Sequence, residues 1–187
     1  MRMLLILLLW LLGTLPAVAS EEAAWTALRA DGHVALMRHA DAPGFGDPPG
    51  WRLDDCSTQR NLSAQGRADA VAVGARLKAQ GARLGRIVSS PWCRCVDTAT
   101  LMDVGRIEIE ATFSNAVMLS ERRDALTQGA RTLLREWKGP GALLVVTHGA
   151  NIQALIGTNP AAGEIIVVGP QADGALREIG RLPVPPR

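Results

Sequence analysis

"HVALMRHADAPG", residues 33–44, decides how the rest of the chain is read. Residues 33–37 are apolar and partly β-branched, the composition of a strand buried on both faces. The run stops at Arg38-His39 and passes straight into a Pro/Gly loop. The chain has three histidines, His33, His39 and His148. One of them stands here beside an arginine, where a buried strand ends. Burying such groups without partners is costly, so the pair points to a site. His33, at the start of the strand, reads as a residue without function.

Working outward, apolar spacing and turn residues divide the chain into alternating elements. The stretch 41–59, "DAPGFGDPPGWRLDDCSTQ", is a long loop, and loops of that length inside a domain are usually functional. Ser63 is placed to cap a helix over 64–80, with Ala68, Val71, Ala75 and Leu77 on or near one face and Gly81 ending it. "RIVS", 86–89, is a short strand, and Ser90-Pro91 opens a helix running to about Met102. "IEIEA", 107–111, alternates as an edge strand or one with a wet face. A helix follows over 121–137, beginning nearer Asp124 on a second reading. "ALLVVT", 142–147, is the most strand-like segment; it ends at His148-Gly149, before a short helix from Asn151. Strands at 165–168 and 176–182, joined across 171–174, close the sequence. Strands alternating with helices predict an α/β three-layer sandwich, with a mostly parallel central sheet flanked by helices.

The first nineteen residues read differently. Arg2 precedes an apolar run from Leu4 to Leu12, and Ala17-Val18-Ala19 is a small-x-small cleavage signal. That layout predicts a signal peptide over 1–19, a single domain over 20–187, and a periplasmic or secreted protein, soluble once the leader is cleaved. No other stretch is long and apolar enough to cross a bilayer. The net charge of +2 comes without a dense basic run, and there are 2 phenylalanines and no tyrosine. Both features argue against a nucleic-acid platform. Three cysteines, Cys56, Cys93 and Cys95, in an exported chain predict one disulfide, Cys56 with Cys93 or Cys95, and one leftover thiol. A zinc site is the poorer reading, for no fourth ligand falls at the usual spacing.

Ligands of open α/β sheets bind beyond the carboxyl ends of the strands. Arg38-His39 follow the first strand, Arg94 lies on the first helical turn after the second, and His148-Gly149 follow "LLVVT". Two arginines and two histidines thus gather on one sheet edge. Guanidinium forks suit phosphate oxygens, and a neutral imidazole is a competent nucleophile. One histidine attacks phosphorus, the other donates to its oxygens, and the arginines supply the charge that a metal otherwise would.

"LMRHA", "SSPWCRCVDTA" and "VVTHGANI", in that order, resemble the three signature segments of the histidine phosphatase superfamily, also called phosphoglycerate mutase-like. The resemblance spans about His33 to Val168. It implies a phosphoglycerate mutase-like fold, a phosphohistidine intermediate on His39, and a phosphate pocket completed by Arg38, Arg94 and His148. "QRNLSAQGR" resembles the segment after the first loop and adds Arg60 as a substrate-binding residue. The acid for the leaving alcohol is less directly matched. The acid-phosphatase branch carries an aspartate directly after the second histidine, where this chain has Gly149. The compact branch uses a glutamate after the middle strand, which maps to Glu121 in "MLSERRD", with Asp124 and Asp41 as alternatives.

These readings lead to an exported phosphomonoester hydrolase that needs no metal or cofactor and acts on a small phosphate ester. A phosphomutase, or a phospho-ligand binding protein that has lost its acid, are the alternatives.

Overall fold

The structure, a computed structural model, describes residues 20–171 and 175–186. The signal peptide expected over 1–19, and 172–174 of the final connection, lie outside the described residues. Five helices and six strands follow one another: α1 Glu21–Leu28, β1 Val34–Arg38, α2 Ala64–Ala79, β2 Leu84–Ser89, α3 Cys93–Met102, β3 Ile107–Ile109, α4 Arg123–Glu136, β4 Ala142–Thr147, α5 Gly149–Ile156, β5 Ile165–Pro170 and β6 Leu176–Leu182. The strands form one sheet in the order β3-β2-β4-β1-β5-β6. β3, β2, β4 and β1 are parallel, and β5 and β6 complete the sheet antiparallel. The expected α/β sandwich with a mostly parallel central sheet is the observed fold.

Strand alternation explains the three layers. Successive side chains of a strand point to opposite faces. Ala35 and Met37 of β1, with Leu144 and Val146 of β4, join a core under α1, α2 and α3 that includes Trp25, Leu28, Leu77 and Met102. Val34 and Leu36, with Leu143 and Val145, join a second core under α4 and α5 that includes Leu134 and Ile152. Both faces of β1 and β4 are therefore covered. That is why "VALM" and "ALLVVT" read as unbroken apolar runs.

Three elements differ from the sequence reading. α1 was not expected, although Ser20 caps it by accepting from the Ala23 N–H at 3.0 Å and Glu21 and Glu22 occupy its first turn. α2 is capped by Ser63 as expected, but its buried side is Gly66, Ala70, Val73, Gly74 and Leu77. Ala68, Val71 and Ala75 are exposed. Glycine carries the contact because α2 packs backbone to backbone: a Cβ on Gly74 would lie 2.0 Å from the Met102 carbonyl oxygen, and one on Gly66 2.1 Å from that of Asp41. Hydropathy cannot find such a face, since glycine carries no apolar side chain to count. α3 begins at Cys93 with Trp92 at its cap position and no side-chain cap, and Ser90 lies two residues earlier, its hydroxyl accepting from the Trp92 N–H at 3.4 Å.

Gly74→Ala tests that packing. Overfilling a contact against backbone costs about 1–3 kcal/mol, and urea unfolding of the variant should show a loss at the upper end of that range. An unchanged midpoint would mean that α2 and α3 do not approach as closely as described.

Candidate active site

The site is built at the carboxyl ends of β1, β2 and β4. In-register pairing sets Arg38 opposite Thr147, and the His39 N–H donates to the Thr147 carbonyl at 2.9 Å. His39 and His148 therefore leave the sheet side by side, with ring centroids 5.6 Å apart at 68°. They share a cavity of about 330 Å³ whose wall includes Arg38, Arg60, Asn159 and the Gly44–Gly46 stretch of the long loop. Among the described residues the cavity wall contains no aspartate or glutamate.

His39 is buried, and its Nδ1 lies 2.8 Å from the carbonyl oxygen of Ala40. A carbonyl can only accept, so Nδ1 carries the proton and Nε2 keeps the lone pair. The Ala40 N–H donates to Thr98 Oγ1 at 3.0 Å, and that hydroxyl donates to the Arg94 carbonyl at 2.7 Å. The carbonyl that orients the imidazole is thereby tied to α3. Burial, followed by the charges of Arg94, Arg60 and Arg38, pushes the His39 pKa down to about 3 against the opposing pull of the Ala40 hydrogen bond. His148 is likewise held well below the usual range, first by burial, then by His39 and the arginines. Both rings are neutral at physiological pH.

The second histidine is held from behind. Ser90 Oγ lies 2.9 Å from His148 Nε2. Trp92 packs edge-on against the His148 ring, with centroids 5.6 Å apart, and stacks at a tilt on Trp51 at 5.1 Å. The two tryptophans are packing residues behind the site, outside the cavity wall. Gly149 fits because a Cβ there would lie 2.4 Å from Asn159 Oδ1 and 3.3 Å from Arg38 Cδ. A side chain at that position would have to displace the Asn159 amide.

The structure brings together Arg38, His39, Arg60 and His148 at one cavity. Arg38 donates to the Pro160 carbonyl at 3.1 Å. Arg60 Nε donates to the Gly46 carbonyl at 3.0 Å, and Nη1 donates to that of Ala42. Arg94 lies behind the wall, with no exposed surface, in an ion pair with Asp47 at 2.7 Å. Glu121, expected as the acid, is exposed on a single 3-10 turn, Ser120–Arg122, outside the cavity wall. The wall is supplied from that segment by Asn115, Val117 and Met118 instead, because Asn151 of α5 fixes it there: Nδ2 donates to the Ser114 carbonyl at 2.7 Å and Oδ1 accepts from the Ala116 N–H at 3.2 Å. Asp124 is exposed on α4. Asp41 is half-buried and accepts from the Ser63 hydroxyl at 2.6 Å, at the start of α2. None of the three carboxylates expected from the sequence reaches the cavity. Cys56 is bonded to Cys93, and Cys95 is a buried free thiol whose pKa is pushed up to about 12, chiefly by burial.

Sequence reasoning missed Asp47, Asn159 and the site role of Ser90. Asp47 carries no local signal, being one acid in the Pro/Gly loop. Asn159 follows α5 with nothing in its neighbours to mark it. Ser90 gave a signal, but capping explained it first.

Similar proteins bear on this arrangement. Residues 34–115 match the family model of the histidine phosphatase superfamily (branch 1). No curated protein matches the chain in sequence. Among solved structures, the protein histidine phosphatase SixA complexed with tungstate is 20% identical, over 80% of this chain and 96% of that one, with a TM-score of 0.52. The product of the open reading frame Rv3214 from Mycobacterium tuberculosis is 18% identical, over 78% and 94%, with a TM-score of 0.59. The mycobacterial glucosyl-3-phosphoglycerate phosphatase Rv2419c is 18% identical, over 82% and 97%, with a TM-score of 0.56. Arg38, His39, Arg60 and Arg94 all lie inside the segment that matches the histidine phosphatase superfamily (branch 1) model, and the chain has the fold of these phosphatases.

Proposed function

We propose that this protein is an exported phosphatase that transfers the phosphoryl group of a small phosphate ester to His39 Nε2 and then to water. The observation that carries the reading is the state of His39: buried, neutral, protonated on the nitrogen facing Ala40, and bordering a cavity with Arg38 and Arg60. A phosphoryl dianion entering that cavity meets guanidinium donors matched to its oxygens. The Nε2 lone pair attacks phosphorus, a P–N bond forms, and the bond to the leaving oxygen breaks. His148 hydrogen-bonds an equatorial oxygen. Water then attacks the phosphohistidine, releasing inorganic phosphate and restoring the imidazole. Positioning and fixed positive charge do the work here, and neither asks for a metal.

With no carboxyl group in the described cavity wall, the leaving group takes its proton from water. Such a site favours substrates whose leaving group departs readily, such as an aryl oxygen or an imidazole nitrogen, over alkyl phosphates. The similar fold named as a protein histidine phosphatase is in keeping with that preference. The same lack of an acid favours, as a second reading, a protein that binds a phospho-ligand without turning it over.

Export rests on Arg2, the Leu4 to Leu12 run and the Ala17-Val18-Ala19 signal. The Cys56–Cys93 disulfide accords with an oxidising compartment.

The mature protein should hydrolyse p-nitrophenyl phosphate in the presence of EDTA, faster than it hydrolyses glycerol phosphate. His39→Ala should lose at least about three orders of magnitude of that activity, as expected when the nucleophile is removed. Phosphate binding without turnover of any phosphoester would leave the binding reading in its place. Because His39 keeps its base form down to about pH 3, its protonation should not limit kcat/KM near neutrality. The acid limb should follow the second ionisation of the substrate, around pH 6 for a phosphomonoester, and should move from substrate to substrate. A limb fixed near pH 6.5 for every substrate would contradict the neutral buried histidine. Mass spectrometry of the exported protein should find Ser20 at its N-terminus, and an intact Met1 would remove the export reading.

A further inference from the structure

Asp47 lies in the loop between β1 and α2, and its carboxylate has no exposed surface. Four donors converge on its two oxygens. Arg94 Nη1 at 2.7 Å and the backbone N–H of Arg60 at 3.0 Å reach Oδ1. The Trp92 indole N–H at 2.9 Å and Arg94 Nη2 at 3.3 Å reach Oδ2. Burial by itself would raise the Asp47 pKa, but the bonds from Arg94, Arg60 and Trp92 hold the carboxyl below its ordinary range. It is a fixed anion, and it is not available as a proton donor.

Its effect falls on Arg94. Both terminal nitrogens of that guanidinium are taken by Asp47, with Nη1 also 3.4 Å from the Arg60 carbonyl. Arg94 Nε is buried and has no partner. The Arg94 carbonyl accepts from Thr98 Oγ1, which in turn accepts from the Ala40 N–H, so the same arginine is tied to the residue that orients His39. Arg94 is also the arginine with the largest effect on His39.

We infer that Asp47 is a positioning residue, clamping Arg94 by its two terminal nitrogens so that the guanidinium charge is held directly behind the cavity at His39. The inference rests on the reading of His39 as the phosphoryl acceptor. The charges agree with it: Arg38, Arg60 and Arg94 against Asp47 leave two positive charges beside two neutral histidines, the complement of a phosphoryl dianion. The opposite reading makes Asp47 a placeholder that leaves Arg94 when phosphate arrives. Departure would strip the Arg60 N–H and the Trp92 indole of their acceptor, both inside the protein. The surrounding loop is also fastened to α3, by the Cys56–Cys93 disulfide and by the Cys93 N–H donating to Gln59 Oε1 at 3.0 Å. Asp47 is therefore built in.

Asp47→Asn and Asp47→Ala, measured beside the wild type, decide the matter. The readouts are kcat and KM on p-nitrophenyl phosphate, the Kd of inorganic phosphate by calorimetry, and the urea midpoint. Displacing one fixed positive charge from beside the transition state should cost about 100-fold in kcat, and the phosphate Kd should rise about tenfold. A purely structural role would lower the midpoint while folded protein kept its phosphate Kd and kcat, and that result overturns the inference. Tighter phosphate binding in either variant overturns it in favour of the placeholder. Should both variants fail to fold, the wild type still answers by NMR: the assigned Arg94 Nε–H resonance should shift on saturation with inorganic phosphate, because a charge held behind the site feels the bound anion. A resonance that does not move overturns the inference. A wild type that turns over no phosphoester defeats the catalytic reading, while the phosphate Kd of the variants still judges Asp47.

Discussion

The parallel, in-register pairing of β1 with β4 is the constraint on which the site depends. Arg38 pairs with Thr147, so the two strands end at the same level, and the chain beyond each carries a histidine. A slip of one residue would turn every side chain of a strand to the other face. Here a slip would exchange the two cores and also separate His39 from His148. The apolar residues that fill both cores, Ala35 and Met37 on one side and Val34 and Leu36 on the other, are thus what holds the imidazoles beside each other. Packing and chemistry are fixed by the same ladder.

Around that ladder the molecule gathers positive charge and keeps the histidines neutral. Burial and three guanidiniums hold His39 in its base form, and the Ala40 carbonyl selects which nitrogen keeps the proton. The same charges reach Arg60, whose pKa is lowered by burial and then by Arg94 and Arg38, with Asp47 opposing. An assembly in which cations lower one another's pKa is poised for an anion. Asp47 keeps the cluster from being more positive than a phosphoryl dianion requires.

Much of this was legible in the residues. β4 was found to the residue, because six buried positions, five of them apolar, stand between a glycine and a histidine. Arg38, His39 and His148 were legible because polar residues at the ends of such strands have few structural uses. Arg60 rested on resemblance, and the cavity includes it. Glu121 was chosen by order along the chain, and it stands exposed outside the cavity, whose wall is set by Asn151 anchoring the 114–116 backbone. The buried face of α2 was misread because glycines make it.

The sequence by itself determined the alternation of strands and helices, the sheet edge at which the chemistry collects, and the residues that stand there. Those follow from periodicity and from the cost of burying polar groups, which act locally along the chain. Only the tertiary structure decided that Ser90 reaches His148, that Gly149 faces the Asn159 amide, and that Asp47 holds Arg94. Each joins residues separated in sequence, Asp47 and Arg94 across 47 positions. Only folding brings a loop carboxylate and a helical guanidinium into one dry contact.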